Sequence, residues 1–184
     1  MDKKLILASG SPRRKEILTQ VGLSFTVIKS DVEEVITKTN PAEIVMELSA
    51  QKAKDVYDKL QAPDEYLVLG SDTVVAYDGK VLGKPEDEAD AFAMLNMLSG
   101  KKHSVFTGVT LVSDAGVDTF YEETLVEFYE MSEEEIWTYI KTGEPMDKAG
   151  AYGIQGKAAA FIKGISGDYY NVVGLPVAAV MHRL

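Results

Sequence analysis

The chain has 184 residues, of which 46% are hydrophobic, and this is enough for one domain with a sizeable core. It contains no cysteine and only two histidines, which excludes disulfides, a thiol nucleophile and a multi-histidine metal site. Its formal net charge of −10 argues against a protein that tracks along nucleic acid polymers, because such proteins carry a basic face.

The first predicted elements are a strand and a helix. Residues 5–8 form an apolar run that predicts a buried strand, and Ser11 and Pro12 suit the N-cap and first position of the helix that follows. The guanidinium groups of Arg13 and Arg14 would then lie beside free backbone N–H groups. Helix N-termini attract anions and arginine binds phosphate in a bidentate manner, so we expect a phosphate-binding turn. The alternative is an ordinary turn with solvated basic residues.

A second strand, an acidic loop and a long helix come next. The strand is predicted over residues 24–30 and the loop over residues 31–34. Either Glu33 or Glu34 is a candidate metal ligand, although a solvated acidic loop is the alternative. An asparagine N-cap followed by proline predicts a helix over residues 40–60.

Asp72 lies just past the expected end of a third strand over residues 66–69. Open α/β sheets place functional groups at such strand ends, where a carboxylate can hold Mg²⁺ or accept a proton from water. The alternative is an aspartate that caps a turn. Asp78 and Gly79 then predict a tight hairpin, and a helix follows over residues 87–98.

The second half of the chain predicts a long hairpin and two further helices. Residues 104–112 and 119–129 alternate in hydrophobicity as antiparallel strands do, and Ser132 begins a capping box for a helix. A strand is expected over residues 158–165 and a last helix after Pro176. The pattern predicts an α/β fold with an elongated mixed sheet rather than a strict βαβ repeat.

Two lysines and a glycine-rich segment complete the candidate residues. Lys52 and Lys84 can neutralise phosphate charge, although a single lysine is more often a surface residue. Residues 147–156 contain three glycines, which allow a backbone to approach a ligand closely. Gln155 offers an amide donor and acceptor that suit the edge of a nucleobase. The alternative is a flexible surface loop.

Together these motifs resemble the Maf family of nucleoside triphosphate pyrophosphatases. The resemblance spans nearly the whole chain, and several ordered motifs are far more specific than any single one. The motifs that carry it are residues 8–14, 33–34, 51–53, 70–73, 83–85, 98–100, 147–156 and 173–176.

The resemblance implies a single domain over residues 1–184, with a two-lobed α/β fold similar to that of inosine triphosphate pyrophosphatases and a central cleft for the substrate. It implies hydrolysis of a nucleoside triphosphate to the monophosphate and pyrophosphate, with a divalent cation such as Mg²⁺, Mn²⁺ or Co²⁺. A homodimer is also expected. Because the N-terminus shows no signal-peptide pattern and no segment is apolar enough to span a membrane, we expect a cytoplasmic protein without a membrane partner.

The resemblance also implies residue roles. Asp72 matches the family's catalytic acidic position, and we expect it to share a metal with Glu34. Lys52 and Lys84 are the expected catalytic cations. The expected substrate-binding residues are Ser9, Arg13, Arg14, Thr73 and Gln155.

Three positions separate two branches of the family. Arg13, Thr73 and Gln155 match the branch that hydrolyses dTTP and UTP, whereas the branch that prefers 7-methyl-GTP carries tryptophan, glutamine and glutamate there. We therefore predict dTTP and UTP as substrates, with modified pyrimidine nucleotides as further candidates. The competing hypothesis is a non-catalytic nucleotide-binding regulator of septum formation or cell division.

Overall fold

The computed structural model describes residues 3–184. The chain divides into two compact units. The first contains the residues up to Asp72 together with Thr107–Glu122 and Gly174–Leu184, and the second contains Thr73–Phe106 and Glu123–Val173.

The strands form one mixed sheet, which confirms the predicted α/β class. They are β1 (Lys4–Leu7), β2 (Phe25–Val27), β3 (Tyr66–Tyr77), β4 (Lys80–Leu82), β5 (Lys102–Ser113), β6 (Gly116–Phe128) and β7 (Ile162–Ser166). Their order is β2-β1-β3-β5-β6-β7, with β4 paired to β3. Strand β1 runs parallel to both β2 and β3, whereas the β3–β4 and β6–β7 pairs are antiparallel.

Five of the α-helices in the described residues begin where the sequence predicts, and one short helix, Tyr169–Val173, was not predicted. The helices are α1 (Pro12–Gln20), α2 (Pro41–Tyr57), α3 (Glu88–Leu98), α4 (Glu133–Ile140), α5 (Tyr169–Val173) and α6 (Val177–Met181). The Asn40 side chain accepts a hydrogen bond from the Ala42 N–H at 2.9 Å, and Ser132 and Glu135 form the predicted capping box. Among the described residues, no helix is both long and apolar enough to cross a membrane.

Helix α2 packs very closely on the sheet of the first unit, because two strand glycines leave room for its backbone. A Cβ atom on Gly70 of β3 would lie 2.8 Å from the Ala53 nitrogen. A Cβ on Gly108 of β5 would overlap the Val45 carbonyl. Glycine inside a strand often marks such a close approach of another backbone. The first unit therefore holds α2 at a fixed distance from β3.

The second unit has its own aromatic and aliphatic core. Helices α3 and α4 bury Leu95 and Ile136 against Phe128 of β6. His103 is also buried here, and its Nε2 atom lies 2.6 Å from the Tyr152 hydroxyl. Removal from water lowers the pKa of His103 to about 4, so the imidazole is neutral near pH 7.

The structure corrects the predicted position of Asp72. Strand β3 does not end at Leu69 but continues without interruption to Tyr77, so Asp72 lies inside the strand. Gly70 had suggested a strand end, yet its role is to let α2 approach. The hairpin at Asp78 and Gly79 is confirmed, and both residues have positive φ angles of 49° and 73°.

Other boundaries also differ from the prediction. The second strand covers only Phe25–Val27, and α2 ends at Tyr57. Residues Lys157–Ala160 form a 3₁₀ turn, so the last strand begins at Ile162 and not at residue 158. Ser11 is the N-cap of α1 as predicted, but within residues 3–184 its side chain makes no capping hydrogen bond.

Candidate active site

The turn between β1 and α1 places a serine and an arginine in contact. The Ser9 Oγ atom is buried and accepts hydrogen bonds from the Ser11 N–H and from Nη1 of Arg14, both at 3.2 Å. Nε of Arg14 donates to the Gly174 carbonyl at 2.8 Å. These bonds fix the guanidinium on the first turn of α1, where the free N–H groups of the helix also favour an anion.

Three charged side chains lie close enough to Arg14 to change the pKa of its guanidinium. Burial lowers the pKa of its guanidinium, and Arg13 adds to this effect, whereas the carboxylates of Asp72 and Glu34 oppose it. Arginine remains protonated in proteins, so the charge of Arg14 persists. The site of the first unit thus combines positive and negative groups at close range.

Lys52 connects the two acidic residues of this unit. Its Nζ atom lies 2.6 Å from Oδ1 of Asp72 and 3.0 Å from Oε1 of Glu34. The side chains of Lys52 and Asp72 are 18% and 14% exposed, whereas that of Glu34 is 47% exposed. Both carboxylates therefore lie within 3.0 Å of one Lys52 Nζ atom, and the metal that Asp72 and Glu34 are expected to share stays a prediction.

Packing of α2 explains why this contact forms. Gly70 and Asp72 point to the same face of β3 because strand side chains alternate. Since Gly70 lets the α2 backbone approach at Ala53, the adjacent Lys52 reaches Asp72 directly. A buried hydrogen bond of 2.9 Å between Ser49 and Thr110 adds a polar contact between α2 and β5.

In the second unit, the segment before α3 lies beside the glycine-rich segment. The Gly150 N–H donates to the Gly83 carbonyl at 3.0 Å, and Gly150 has a φ of 70° and packs directly on Val75. Lys84 follows Gly83 and is exposed. The structure thus brings the Lys84 segment and the glycine-rich segment together within this unit.

Gln155 is exposed and lies in a turn that contacts the Glu144 carboxylate. The Glu144 carboxylate accepts from the Tyr139 hydroxyl at 2.8 Å and from the Lys157 N–H at 3.1 Å. Gly156 lies so close to this carboxylate that a Cβ there would overlap it. The turn is therefore bonded to Glu144 through the Lys157 N–H, and the role of Gln155 in binding a base stays a prediction.

The candidate residues fall into two sets. Ser9, Arg13, Arg14, Glu34, Lys52 and Asp72 belong to the first unit, and Thr73, Lys84 and Gln155 belong to the second. Sequence reasoning assigned no structural role to Gln51, Gly70 or Glu144, although Gln51 and Gly70 lie in motifs that carry the family resemblance. A glycine inside an apolar strand run was the available signal for the role of Gly70. No sequence signal pointed to Glu144.

Comparison with known proteins identifies the family. The family of Maf-like proteins matches residues 4–184. The chain belongs to the Maf family.

Individual relatives of this Maf protein are similar over almost their full lengths. A protein from Agathobacter rectalis named dTTP/UTP pyrophosphatase is 54% identical, covering 98% of this chain and 96% of the relative. Proteins of the same name from Bacillus cytotoxicus and Bacillus cereus are 55% and 51% identical, each over 99% of this chain and 94% of the relative. Among solved structures, the Ham1 protein of Staphylococcus aureus aligns with a TM-score of 0.48 and 14% identity, over 70% of this chain and 73% of that one.

Proposed function

We propose that this Maf protein is a nucleoside triphosphate pyrophosphatase that hydrolyses dTTP and UTP to the monophosphate and pyrophosphate. The single observation that carries the proposal is the contact of Lys52 with both Asp72 and Glu34 in the unit that also holds Arg14. Such a combination of carboxylates and cations suits phosphoryl chemistry, in which catalysis is mostly positioning and charge stabilisation. Relatives more than 50% identical carry the name dTTP/UTP pyrophosphatase, which supports the same activity.

The donor set fits a divalent cation. Mg²⁺ is usually held by one or two carboxylates, with substrate phosphates and water as its other ligands. Asp72 and Glu34 offer two such carboxylates. Residues 3–184 contain no group of three or more acidic or histidine side chains that could hold a metal, so the substrate and water would have to supply the other ligands. We propose that Asp72 and Glu34 hold the cation, which when bound would neutralise phosphate charge.

Side chains of the first unit activate the water and stabilise the leaving group in this proposal. Asp72 orients the attacking water or accepts its proton, because it is the least exposed carboxylate of the set. Lys52 and Arg14 stabilise the negative charge that develops on the departing pyrophosphate, together with Arg13. Ser9 holds the Arg14 guanidinium in place through its 3.2 Å contact.

The proposed roles of the second unit concern the nucleotide. Lys84 adds positive charge for the triphosphate, while Thr73 and Gln155 contact the nucleoside. An exposed amide on an ordered turn, as Gln155 is, can pair with the edge of uracil or thymine. Those bases differ by one methyl group, which a pocket discriminates by only about 1–3 kcal/mol, so both nucleotides are accepted.

One experiment tests this function. The purified protein is incubated with Mg²⁺ and dTTP, UTP, CTP, GTP, ATP or modified pyrimidine nucleotides, and the products are identified. Monophosphate and pyrophosphate from dTTP and UTP, absent with an Asp72→Ala variant, are the expected result. Tight nucleotide binding without turnover would instead indicate the non-catalytic regulator. The homodimer and the cytoplasmic location stay predictions.

A further inference from the structure

An irregular segment of the first unit, residues 30–37, runs along α2, and we call it the strap. It contains Glu34 and has no regular secondary structure. Three polar residues of α2, Glu47, Gln51 and Asp55, contact it. They are spaced four residues apart, so they share one face of the helix. The strap is therefore fastened along one line of α2 side chains.

The two ends of the strap are held by carboxylates. At one end, Oδ2 of Asp55 accepts from the Ser30 hydroxyl at 2.7 Å and from the Asp31 N–H at 3.1 Å. At the other end, Glu47 accepts from the Thr37 N–H at 2.9 Å and from the Thr37 hydroxyl. These contacts limit how far the strap can move along the helix.

Gln51 holds the middle of the strap at two points. Its Oε1 accepts from the Val35 N–H at 3.0 Å, and its Nε2 donates to the Val35 carbonyl at 2.7 Å. Two bonds to one residue fix both its distance from the helix and its orientation. Glu34 is the preceding residue, and its carboxylate accepts from Lys52, the neighbour of Gln51, at 3.0 Å.

Apolar burial does not hold this part of the strap. The side chains of Val35 and Ile36 are each 56% exposed. An exposed segment without buried apolar groups is held by its hydrogen bonds, and it opens easily when they are lost. The backbone next to Glu34 is thus held by the two bonds that Gln51 makes to Val35, while Lys52 contacts the Glu34 carboxylate itself.

We infer that Gln51 is a positioning residue, which acts through the Val35 backbone to keep Glu34 ready to bind a divalent cation beside Asp72. The inference rests on the proposed role of Glu34 in the pyrophosphatase site. Residues that orient metal ligands typically change metal affinity by about 10–100-fold when they are replaced. Since Gln51 contacts no reacting group in this scheme, its loss weakens cation binding more than the chemical step.

The test compares Gln51→Leu and Gln51→Asn with wild type. Leucine keeps the size of the side chain but removes both hydrogen bonds, and asparagine keeps the amide but shortens its reach. Gln61→Leu is the matched control, because Gln61 is an exposed glutamine just beyond α2. Mn²⁺ binding without nucleotide is measured by calorimetry, exchange of the Val35 amide by hydrogen exchange, and Tm by thermal unfolding.

We expect both Gln51 variants to bind Mn²⁺ about 10-fold more weakly and to exchange the Val35 amide faster, with Tm close to wild type. Their turnover of dTTP should recover at high Mg²⁺, and the KM for dTTP at saturating metal should stay unchanged. If Gln51 served only the stability of the fold, its replacement would lower Tm, and excess Mg²⁺ would not restore the turnover of dTTP. Gln61→Leu should match wild type in each measurement.

Several outcomes would overturn the inference. Unchanged Mn²⁺ affinity in both variants would do so while leaving the pyrophosphatase activity standing. Unfolding of both variants would show that Gln51 supports the fold and not the site. A wild-type protein that binds no Mn²⁺ would remove the inference together with the metal role of Glu34. Wild-type protein that binds Mn²⁺ but hydrolyses no nucleotide would refute the proposed function alone, and the shift in Mn²⁺ affinity would still decide the role of Gln51.

Discussion

Nζ of Lys52 on helix α2 lies 2.6 Å from Oδ1 of Asp72 on strand β3, and both side chains are less than one-fifth exposed. The pair comes from two elements that are distant in sequence but tightly packed. Lys52 also contacts Glu34, so one ammonium group neutralises part of two carboxylates. Replacing any one group of this triad therefore changes the electrostatic surroundings in which the other two would bind a ligand.

Replacement of Asp72 by asparagine should abolish turnover and leave the fold intact. The amide is nearly isosteric but cannot accept a proton or hold a cation as well, so we expect kcat/KM for dTTP to fall by about 10²–10⁴. Pyrophosphate release measures the loss, and Tm checks the fold. Asp78→Asn is the matched control, since Asp78 is exposed in the hairpin turn and asparagine tolerates its positive φ. Full activity of the Asp72→Asn protein would remove Asp72 from the mechanism.

Replacement of Lys52 by methionine should separate metal binding from catalysis. The ammonium competes with a divalent cation for the Asp72 and Glu34 oxygens, so its loss should tighten Mn²⁺ binding without nucleotide by about 10-fold. Turnover should fall, because the charge on the pyrophosphate loses a stabilising group. Calorimetry and a pyrophosphate assay give the two values. Lys52→Arg keeps the charge and should leave Mn²⁺ affinity near wild type; weaker Mn²⁺ binding by Lys52→Met would contradict this argument.

Replacement of Gly70 by alanine should destabilise the protein. The new Cβ would lie 2.8 Å from the Ala53 nitrogen and would push α2 away from β3. Overpacking of this kind costs about 1–3 kcal/mol of unfolding free energy, which urea unfolding measures. Gly164→Ala is the control, because Gly164 is also in a strand but has open space around its Cβ position, and we expect a change within about 0.5 kcal/mol. Equal stability of the two variants would show that α2 can shift freely.

The buried His103 should make stability depend on pH. Its folded-state pKa of about 4 is below the ordinary 6.5, so the unfolded chain binds more protons between these values. The free energy of unfolding should therefore fall as the pH decreases from about 6.5 to about 4, with a contribution on the order of 3 kcal/mol. His103→Gln removes the titrating group, and denaturant unfolding at several pH values should show a flatter dependence. A dependence identical to wild type would mean that His103 contributes nothing to it.

Replacement of Gln155 by glutamate should change which base is preferred. A carboxylate loses the amide donor for the uracil or thymine carbonyl, so kcat/KM for UTP and dTTP should fall relative to GTP and CTP. The ratios of kcat/KM over a nucleotide panel measure this shift. The substitution is nearly isosteric on an exposed side chain, so Tm should not change. An unaltered set of ratios would argue against Gln155 as the residue that contacts the base.

The correct sequence predictions concern local signals. The caps at Asn40 and Ser132 and the turn at Asp78 and Gly79 were predictable because each depends on a few neighbouring residues. Local chemistry was sufficient for these features. The metal shared by Glu34 and Asp72 stays a prediction, and the contact of both carboxylates with Lys52 was not anticipated.

The errors concern packing between distant parts of the chain. Gly70 suggests a strand end when read locally, yet it allows α2 to approach an uninterrupted β3. The alanine-rich run Lys157–Ala160 is likewise a 3₁₀ turn, and the Lys157 N–H bonds to Glu144 instead of to a neighbouring strand. Neither interaction leaves a periodic pattern, so neither was predictable from one sequence.

Two apolar side chains of the strap are not needed for its attachment to α2. Gln51 contacts only the backbone of Val35, and the exposed side chains of Val35 and Ile36 take no part in the bonds that hold the segment. The identity of these two residues can therefore change while the path of the chain is kept. Because the protein has no cysteine, a single cysteine introduced at Ile36 would accept a fluorescent dye selectively. Such a dye would report opening of the strap in real time, because Ile36 directly follows Val35, whose backbone is bonded to Gln51, and lies two residues from Glu34.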